Sequence, residues 1–133
     1  MNPVVLRNPL APAASGSSPP PYSQGLAVGP FVFLSGQTGR DPVTQKAGTT
    51  IEEQADQALR NMRQVLQEAG ADLKNVVAMT IFLTRREDSV GMNEVYRRYF
   101  TEPFPTRATV IVQLGRPESL IEMQAVAYVE PRT

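Results

Sequence analysis

Residues 104–129 of this chain read FPTRATVIVQLGRPESLIEMQAVAYV and predict two β-strands joined by a short turn. In an extended strand, alternate side chains lie on opposite faces. The first strand has one wholly apolar face, formed by Ala108, Val110, Val112 and Leu114. The second strand divides in the same way and has an apolar face of Ile121, Met123, Ala125, Ala127 and Val129. We expect both apolar faces to pack in a hydrophobic core.

The opposite face of the predicted strand pair is mixed in polarity and carries Arg107 and Glu122. A cation and a carboxylate on a half-apolar face favour a binding surface or a covered interface. If the turn is tight and regular, Arg107 lies opposite residue 127, and at ~3.3 Å per residue it is about 15 Å from Glu122. A site that uses both side chains would then assemble most easily across a subunit boundary. The alternative interpretation is an interface salt bridge between the two residues.

The composition restricts the classes of function. The 133 residues predict one domain, and 13 Lys and Arg balance 13 Asp and Glu, which gives no electrostatic case for nucleic-acid or membrane-surface binding. The chain has no His and no Cys, which excludes histidine-dependent triads, thiolate nucleophiles and His or Cys metal sites. No apolar run approaches the ~20 residues of a membrane span, and no signal peptide is recognised, so we expect a cytoplasmic protein.

The N-terminal part of the chain is predicted to belong to the same domain as the rest. Residues 1–18 contain a candidate strand at 4–7 and a segment rich in Pro, Ala and Ser, and they precede the main body at 19–133. Tyr22 follows three consecutive prolines, which can hold its phenol ring in one place.

The remaining pattern predicts a hairpin, two helices and a strand. The hairpin covers 25–28 and 31–36, the helices cover 50–70 and 89–100, and a central strand covers 76–84. We expect one mixed sheet with both helices on one face. The uncovered face would then present Phe31, Phe33, Ile111, Val126 and Tyr128. Such an apolar surface predicts a homo-oligomer.

Five short motifs resemble the RidA family of reactive-intermediate imine/enamine deaminases, and they follow one another in the same order as in that family. The C-terminal signature of that family is similar to the two segments PTRAT and LIEM, in which fifteen positions separate Arg107 from Glu122. Upstream, the chain has the matching motifs PYSQ at 21–24, FLSGQ at 33–37 and MNEVY at 92–96. The similarity covers nearly the whole chain after about residue 19.

The resemblance implies an α+β, chorismate-mutase-like fold and a homotrimer with sites at the subunit interfaces. It implies hydrolysis of 2-imino acids, formed from enamines such as 2-aminoacrylate, to 2-keto acids and ammonia. It implies no cofactor and no metal. By the same resemblance, Arg107 would bind the substrate carboxylate and Glu122 would position or activate water. The pocket would be lined, in part from the neighbouring subunit, by Tyr22, Ser35, Gly36, Asn93 and Thr109.

The residue chemistry agrees with these roles. The planar guanidinium of Arg107 can bind a carboxylate bidentately, and Pro105 stiffens the chain before it. Glu122 can accept a proton from water. Asn93, in the first turn of the second helix, is equally compatible with a plain surface position.

The sequence leaves three alternative functions open, and it departs from the family pattern at several positions. The protein could be a non-catalytic sensor of small carboxylates, or a pathway-specific deaminase of the aminomuconate type. The third alternative is a protein that acts on nucleic acid, which the balanced charge and the absence of His disfavour. Beside the expected pocket, three residues differ from those usual in the family, namely Gln113, Gly115 and Arg40. The sequence therefore does not determine the identity of the substrate.

Overall fold

A computed structural model of the chain describes residues 2–12 and 19–130. Along the chain it contains β1 (Val4–Leu6), β2 (Gly25–Val28), β3 (Phe31–Thr38), α1 (Ile51–Glu68), β4 (Val76–Leu83), α2 (Ser89–Tyr99), β5 (Thr106–Ile111) and β6 (Ile121–Tyr128). This order of strands and helices confirms the sequence prediction. Part of the predicted Pro/Ala/Ser-rich segment, residues 13–18, lies outside the described residues, so the domain extent assigned to 1–18 stays a prediction.

The strands form one mixed, six-stranded sheet in the order β1-β2-β3-β6-β4-β5. All neighbouring strands are antiparallel except β4 and β5, which are parallel. The predicted direct pairing of the last two strands is wrong, because β4 lies between β5 and β6. The connection between them crosses the end of β4, where the Val112 N–H donates to the Leu83 carbonyl at 2.8 Å.

This strand order also corrects the predicted faces. Residues paired across neighbouring strands share a face of the sheet. Arg107 pairs with Met79, which is buried under the helices, whereas Glu122 pairs with Phe82 on the open face. Arg107 and Glu122 therefore lie on opposite faces of the sheet and not on one face as predicted.

The predicted core-facing side of the first strand is also wrong, since Val110 is on the open face and 40% exposed. Ile111, predicted on the uncovered face, instead pairs with Leu83 on the helix side. All six residues of β5 are exposed, because it is an edge strand beyond most of the helical cover. For this strand, the sequence pattern separated the two sets of side chains correctly, but the set predicted to face the core was the wrong one.

The core lies between the helices and the other face of the sheet. α1 begins where the sequence predicts it, after Thr50, whose hydroxyl accepts a hydrogen bond from the Glu53 N–H at 3.1 Å. Its apolar stripe packs against β3 and β6. The largest fully buried side chains include Leu59, Met62, Leu66, Ile81, Leu83, Met92, Ile121 and Met123. Both helices therefore cover one face, as predicted.

The opposite face of the sheet is left uncovered and is rich in aromatic residues. Phe31 and Phe33 are each more than 40% exposed, and the ring of Phe31 lies 5.5 Å from that of Tyr128 in an edge-to-face arrangement. Val126 shares this face as the partner of Phe33. Within the described residues, no helix has the length and apolarity needed to cross a bilayer.

Candidate active site

The seven predicted site residues separate into two groups on different sides of the molecule. One group lies around Glu122 on the open face, in a groove of about 290 Å³ lined by Tyr22, Gly36, Thr38, Arg40, Arg116 and Glu122 among others. The other lies around Arg107 at the β5 edge, in a cleft of about 230 Å³ lined by Asn93, Tyr96, Arg97, Phe104, Pro105 and Arg107. We call these the carboxylate half-site and the guanidinium half-site.

Glu122 fits its groove because Gly36 has no side chain. The pairing of β3 with β6 is irregular between Leu34 and Gln37, and Gly36 lies in this irregularity. A Cβ atom added to Gly36 would lie 2.5 Å from Oε2 of Glu122 and 2.6 Å from its carboxyl carbon. The glycine therefore leaves the space that the carboxylate occupies.

Ser35 connects Tyr22 to the sheet. Its hydroxyl donates to the Ser23 carbonyl at 2.5 Å, and its N–H donates to the Gln24 carbonyl at 2.9 Å. These bonds hold the segment that carries Tyr22, a largely exposed ring, at the rim of the groove. Ser35 itself lines an adjoining hollow with Tyr22 and Gly36. The Ser35 hydroxyl therefore stabilises the backbone of the pocket wall.

Two buried polar residues of α1 hold the walls of the carboxylate half-site, and neither was among the predicted site residues. The Asn61 amide donates to the carbonyls of Thr38 at 3.0 Å and Arg40 at 2.7 Å. The Gln54 amide donates to the Glu118 carbonyl at 2.9 Å, and its oxygen accepts from the Leu120 N–H at 2.7 Å.

Gln54 and Asn61 lie seven residues apart, on one face of the helix. Two amide side chains inside an apolar stripe were the sequence signal for such anchors, because buried amides need hydrogen-bond partners.

Arg107 lies on an aromatic platform. Its guanidinium carbon is 4.9 Å from the centre of the Tyr96 ring, and the Tyr96 ring stacks on Phe100 at 4.4 Å. Nη1 of Arg107 is 4.0 Å from Sδ of Met92. Such cation–π contacts orient a guanidinium without consuming its hydrogen-bond donors. Tyr96 was not among the predicted site residues.

The charge of Arg107 is not neutralised by a carboxylate within the described chain. The ion pairs found among the described residues are those of Arg60, Arg63 and Arg85. The salt bridge between Arg107 and Glu122 is therefore not made within one chain. An exposed guanidinium held on a platform can bind an incoming anion.

Asn93, Thr109 and Tyr96 have different positions in the guanidinium half-site. Asn93, in the first turns of α2, lines the cleft, which supports a pocket position. Thr109 follows Arg107 by two residues on the same face of β5, outside the cleft lining. Burial raises the pKa of the Tyr96 phenol, and the positive charge of Arg107 acts against that rise. The buried Tyr96 hydroxyl has no hydrogen-bond partner among the described residues.

Together the half-sites offer an anion-binding guanidinium and a carboxylate beside an open groove. A carboxylate of this kind can bind and orient water. Residues 2–12 and 19–130 contain no cluster of three or more His, Cys, Asp or Glu that could hold a metal ion.

Comparisons with known proteins agree on one family. The family model described as "Endoribonuclease L-PSP" matches residues 11–129. The human 2-iminobutanoate/2-iminopropanoate deaminase is 40% identical over 130 residues, which are 97% of this chain and 92% of that protein.

A RutC family protein of Pyrococcus abyssi is 43% identical over 111 residues, 83% of this chain and 87% of that protein. The crystal structure of RidA from an Antarctic Psychrobacter bacterium superposes with a TM-score of 0.84 and 33% identity, covering 95% of this chain and 99% of that one.

Proposed function

Because the chain belongs to the endoribonuclease L-PSP family, which includes RidA, we propose that it is a deaminase that hydrolyses 2-imino acids to 2-keto acids and ammonia. The observation that carries the proposal is the 40% identity, over 97% of the chain, to the human 2-iminobutanoate/2-iminopropanoate deaminase. The α+β fold, with a mixed sheet and two helices on one face, is the chorismate-mutase-like fold that the sequence motifs implied.

The proposed reaction needs only the groups that the two half-sites contain. Arg107 binds the substrate carboxylate through two parallel N–H···O bonds and holds the C=N carbon in place. Glu122 orients a water and accepts its proton as the oxygen bonds to that carbon. Proton transfer to nitrogen then lets the C–N bond break, which releases ammonia and leaves the keto acid. Tyr22, Gly36 and Asn93 shape the pocket around these steps, and Thr109 lies beside Arg107 on the same face of β5.

We propose that the complete site forms between protomers of a homotrimer. Within one chain, Arg107 and Glu122 lie on opposite faces of the sheet and are separated by β4, so a single small substrate does not reach both. The exposed aromatic face around Phe31 and Phe33 provides an apolar surface for association. The β5 edge of one protomer would bring its guanidinium half-site to the carboxylate half-site of the next.

The test uses imines generated in solution by an amino-acid oxidase. The purified protein should accelerate keto-acid formation, and Arg107→Ala should abolish the acceleration. If keto acids bind without any acceleration of imine hydrolysis, the small-carboxylate sensor is the better description. A cytoplasmic location stays a prediction from the sequence.

Complementation tests the shared site directly. Arg107→Ala and Glu122→Ala protomers, each inactive alone, should regain about a quarter of wild-type activity when equal amounts are mixed at random in closed rings. One half-site in two is intact on each side of an interface, so about one interface in four has both residues. Mixtures that exchange subunits and stay inactive would contradict the shared site.

A further inference from the structure

The carboxylate half-site contains more positive charge than the proposed reaction uses. Arg40 and Arg116 line the same groove as Glu122, so two cations accompany one anion there. In the assembled site, Arg107 of the neighbouring protomer would add a third cation. Only one of the three is needed for the carboxylate common to all 2-imino acids.

Neither of the two groove arginines is neutralised within the described chain. The ion pairs found among the described residues involve other arginines, and neither guanidinium lies within 4.0 Å of Glu122. Arg40 donates from Nε to the Gln45 carbonyl at 3.0 Å, which leaves its terminal amino groups for another partner. Two guanidinium groups beside one carboxylate give the groove a positive balance of charge, which favours an anionic occupant.

The backbone that carries the two arginines is anchored. Arg116 lies in the connection between β5 and β6, in a turn closed by the Ser119 N–H on the Arg116 carbonyl at 3.1 Å. Gln54 holds the far end of this connection, and Asn61 holds the Arg40 carbonyl. The backbone of both arginines is therefore held beside the groove that contains Glu122.

We propose that this site selects imino acids with a second carboxylate on the side chain, the imines of dicarboxylic amino acids. The proposal rests on the deaminase function proposed above. Arg107 binds the carboxylate next to the C=N carbon, and Arg116, assisted by Arg40, binds the distal carboxylate. Of the departures from the usual family residues, Arg40 supplies one of the two cations and Gly115 directly precedes the other.

The experiment compares two substrates of equal length that differ only at the distal end. Amino-acid oxidases convert glutamate and norvaline to five-carbon imines, one ending in a carboxylate and the other in a methyl group. We expect the wild type to have the higher kcat/KM for the glutamate imine. Arg116→Ala should lower the ratio of the two kcat/KM values about ten- to a hundredfold, the usual effect of losing a hydrogen bond to a charged group.

Two further variants and one binding measurement complete the design. Arg116→Lys keeps the charge without the bidentate geometry and should retain part of the preference. Arg86→Ala removes an exposed arginine outside the groove and should leave the ratio unchanged. Calorimetric affinities for 2-oxoglutarate and 2-oxopentanoate should show the same preference without turnover.

The outcomes separate this inference from the function on which it rests. If the wild type hydrolyses both imines but shows no preference, or if Arg116→Ala leaves the ratio unchanged, the selection for dicarboxylates is wrong while the deaminase function stands. If the wild type accelerates neither reaction, both proposals fail.

Discussion

Replacing Gly36 by alanine should inactivate the protein while leaving its fold intact. The added methyl group would lie 2.5 Å from Oε2 of Glu122, whereas ordinary contacts begin near 3.4 Å, so the carboxylate must withdraw by about 0.9 Å. A displacement of about 1 Å in a catalytic group costs roughly a hundredfold in rate. We therefore expect kcat for imine hydrolysis to fall about a hundredfold, equivalent to about 2.7 kcal/mol of activation free energy.

Stability should change little in the same variant. The three nearest atoms, Oε2, the carboxyl carbon and Cγ, all belong to the Glu122 side chain and none to the backbone. The side chain can therefore rotate away, and an off-rotamer side chain costs about 0.5–1.5 kcal/mol. In a domain of this size, the corresponding decrease in melting temperature is about 2–6 °C. Thermal unfolding followed by circular dichroism measures it. A much larger decrease would mean that the methyl group disturbs the strands themselves.

A double-mutant cycle provides the control. In a Glu122→Ala background there is no carboxylate to displace, so Gly36→Ala should cause no further loss from the residual rate. The reasoning is refuted if Gly36→Ala retains wild-type activity, or if it lowers the rate equally in the presence and absence of Glu122.

Three other predictions concern the platform, the buried anchor and acid stability. Tyr96→Phe keeps the ring under Arg107 and removes a buried hydroxyl that has no partner among the described residues, so activity should persist and the melting temperature should stay the same or rise. Tyr96→Leu removes the cation–π contact and should raise KM about 3- to 30-fold. A fall in activity of equal size in both variants would contradict this role for the ring. Gln54→Leu should lower the free energy of unfolding in urea by about 2–4 kcal/mol, because it leaves partly buried backbone groups of Gly48, Glu118 and Leu120 without partners. An unchanged value would mean that other contacts hold the connection between β5 and β6. The pKa of Asp72 lies below 3.8, since burial acts to raise it but the hydrogen bonds from a backbone N–H and from Arg63 prevail. Its charge therefore contributes stability above about pH 4 that is lost as the pH falls through the lowered pKa. Asp72→Asn should reduce the melting temperature at pH 7, and its difference from the wild type should shrink as the pH is lowered below 4. A difference that stays constant over this range would exclude a role for the charge.

Local rules explain why most of the secondary structure could be predicted. The cap at Thr50, the turn at Gly29-Pro30 and the helical spacing of apolar residues depend on neighbours within a few positions in the chain. The candidate site residues Arg107 and Glu122 could also be proposed from the sequence, since an arginine behind a proline and a carboxylate on a half-apolar strand are visible in one segment. Their roles stay predictions. Gln54 and Asn61 were missed because their partners are far away in the sequence, up to 66 positions for the bond to Leu120.

The sequence by itself determined the elements, their polarity patterns and the residues able to bind an anion and a water. Only the tertiary structure decided that β4 enters between β5 and β6, and with it that Arg107 and Glu122 lie on opposite faces. The reason is that alternation within a strand records two sets of side chains, while strand order and facing depend on pairing between distant segments. The same long-range pairing separates the two charges into half-sites and brings Arg40 and Arg116 together around Glu122.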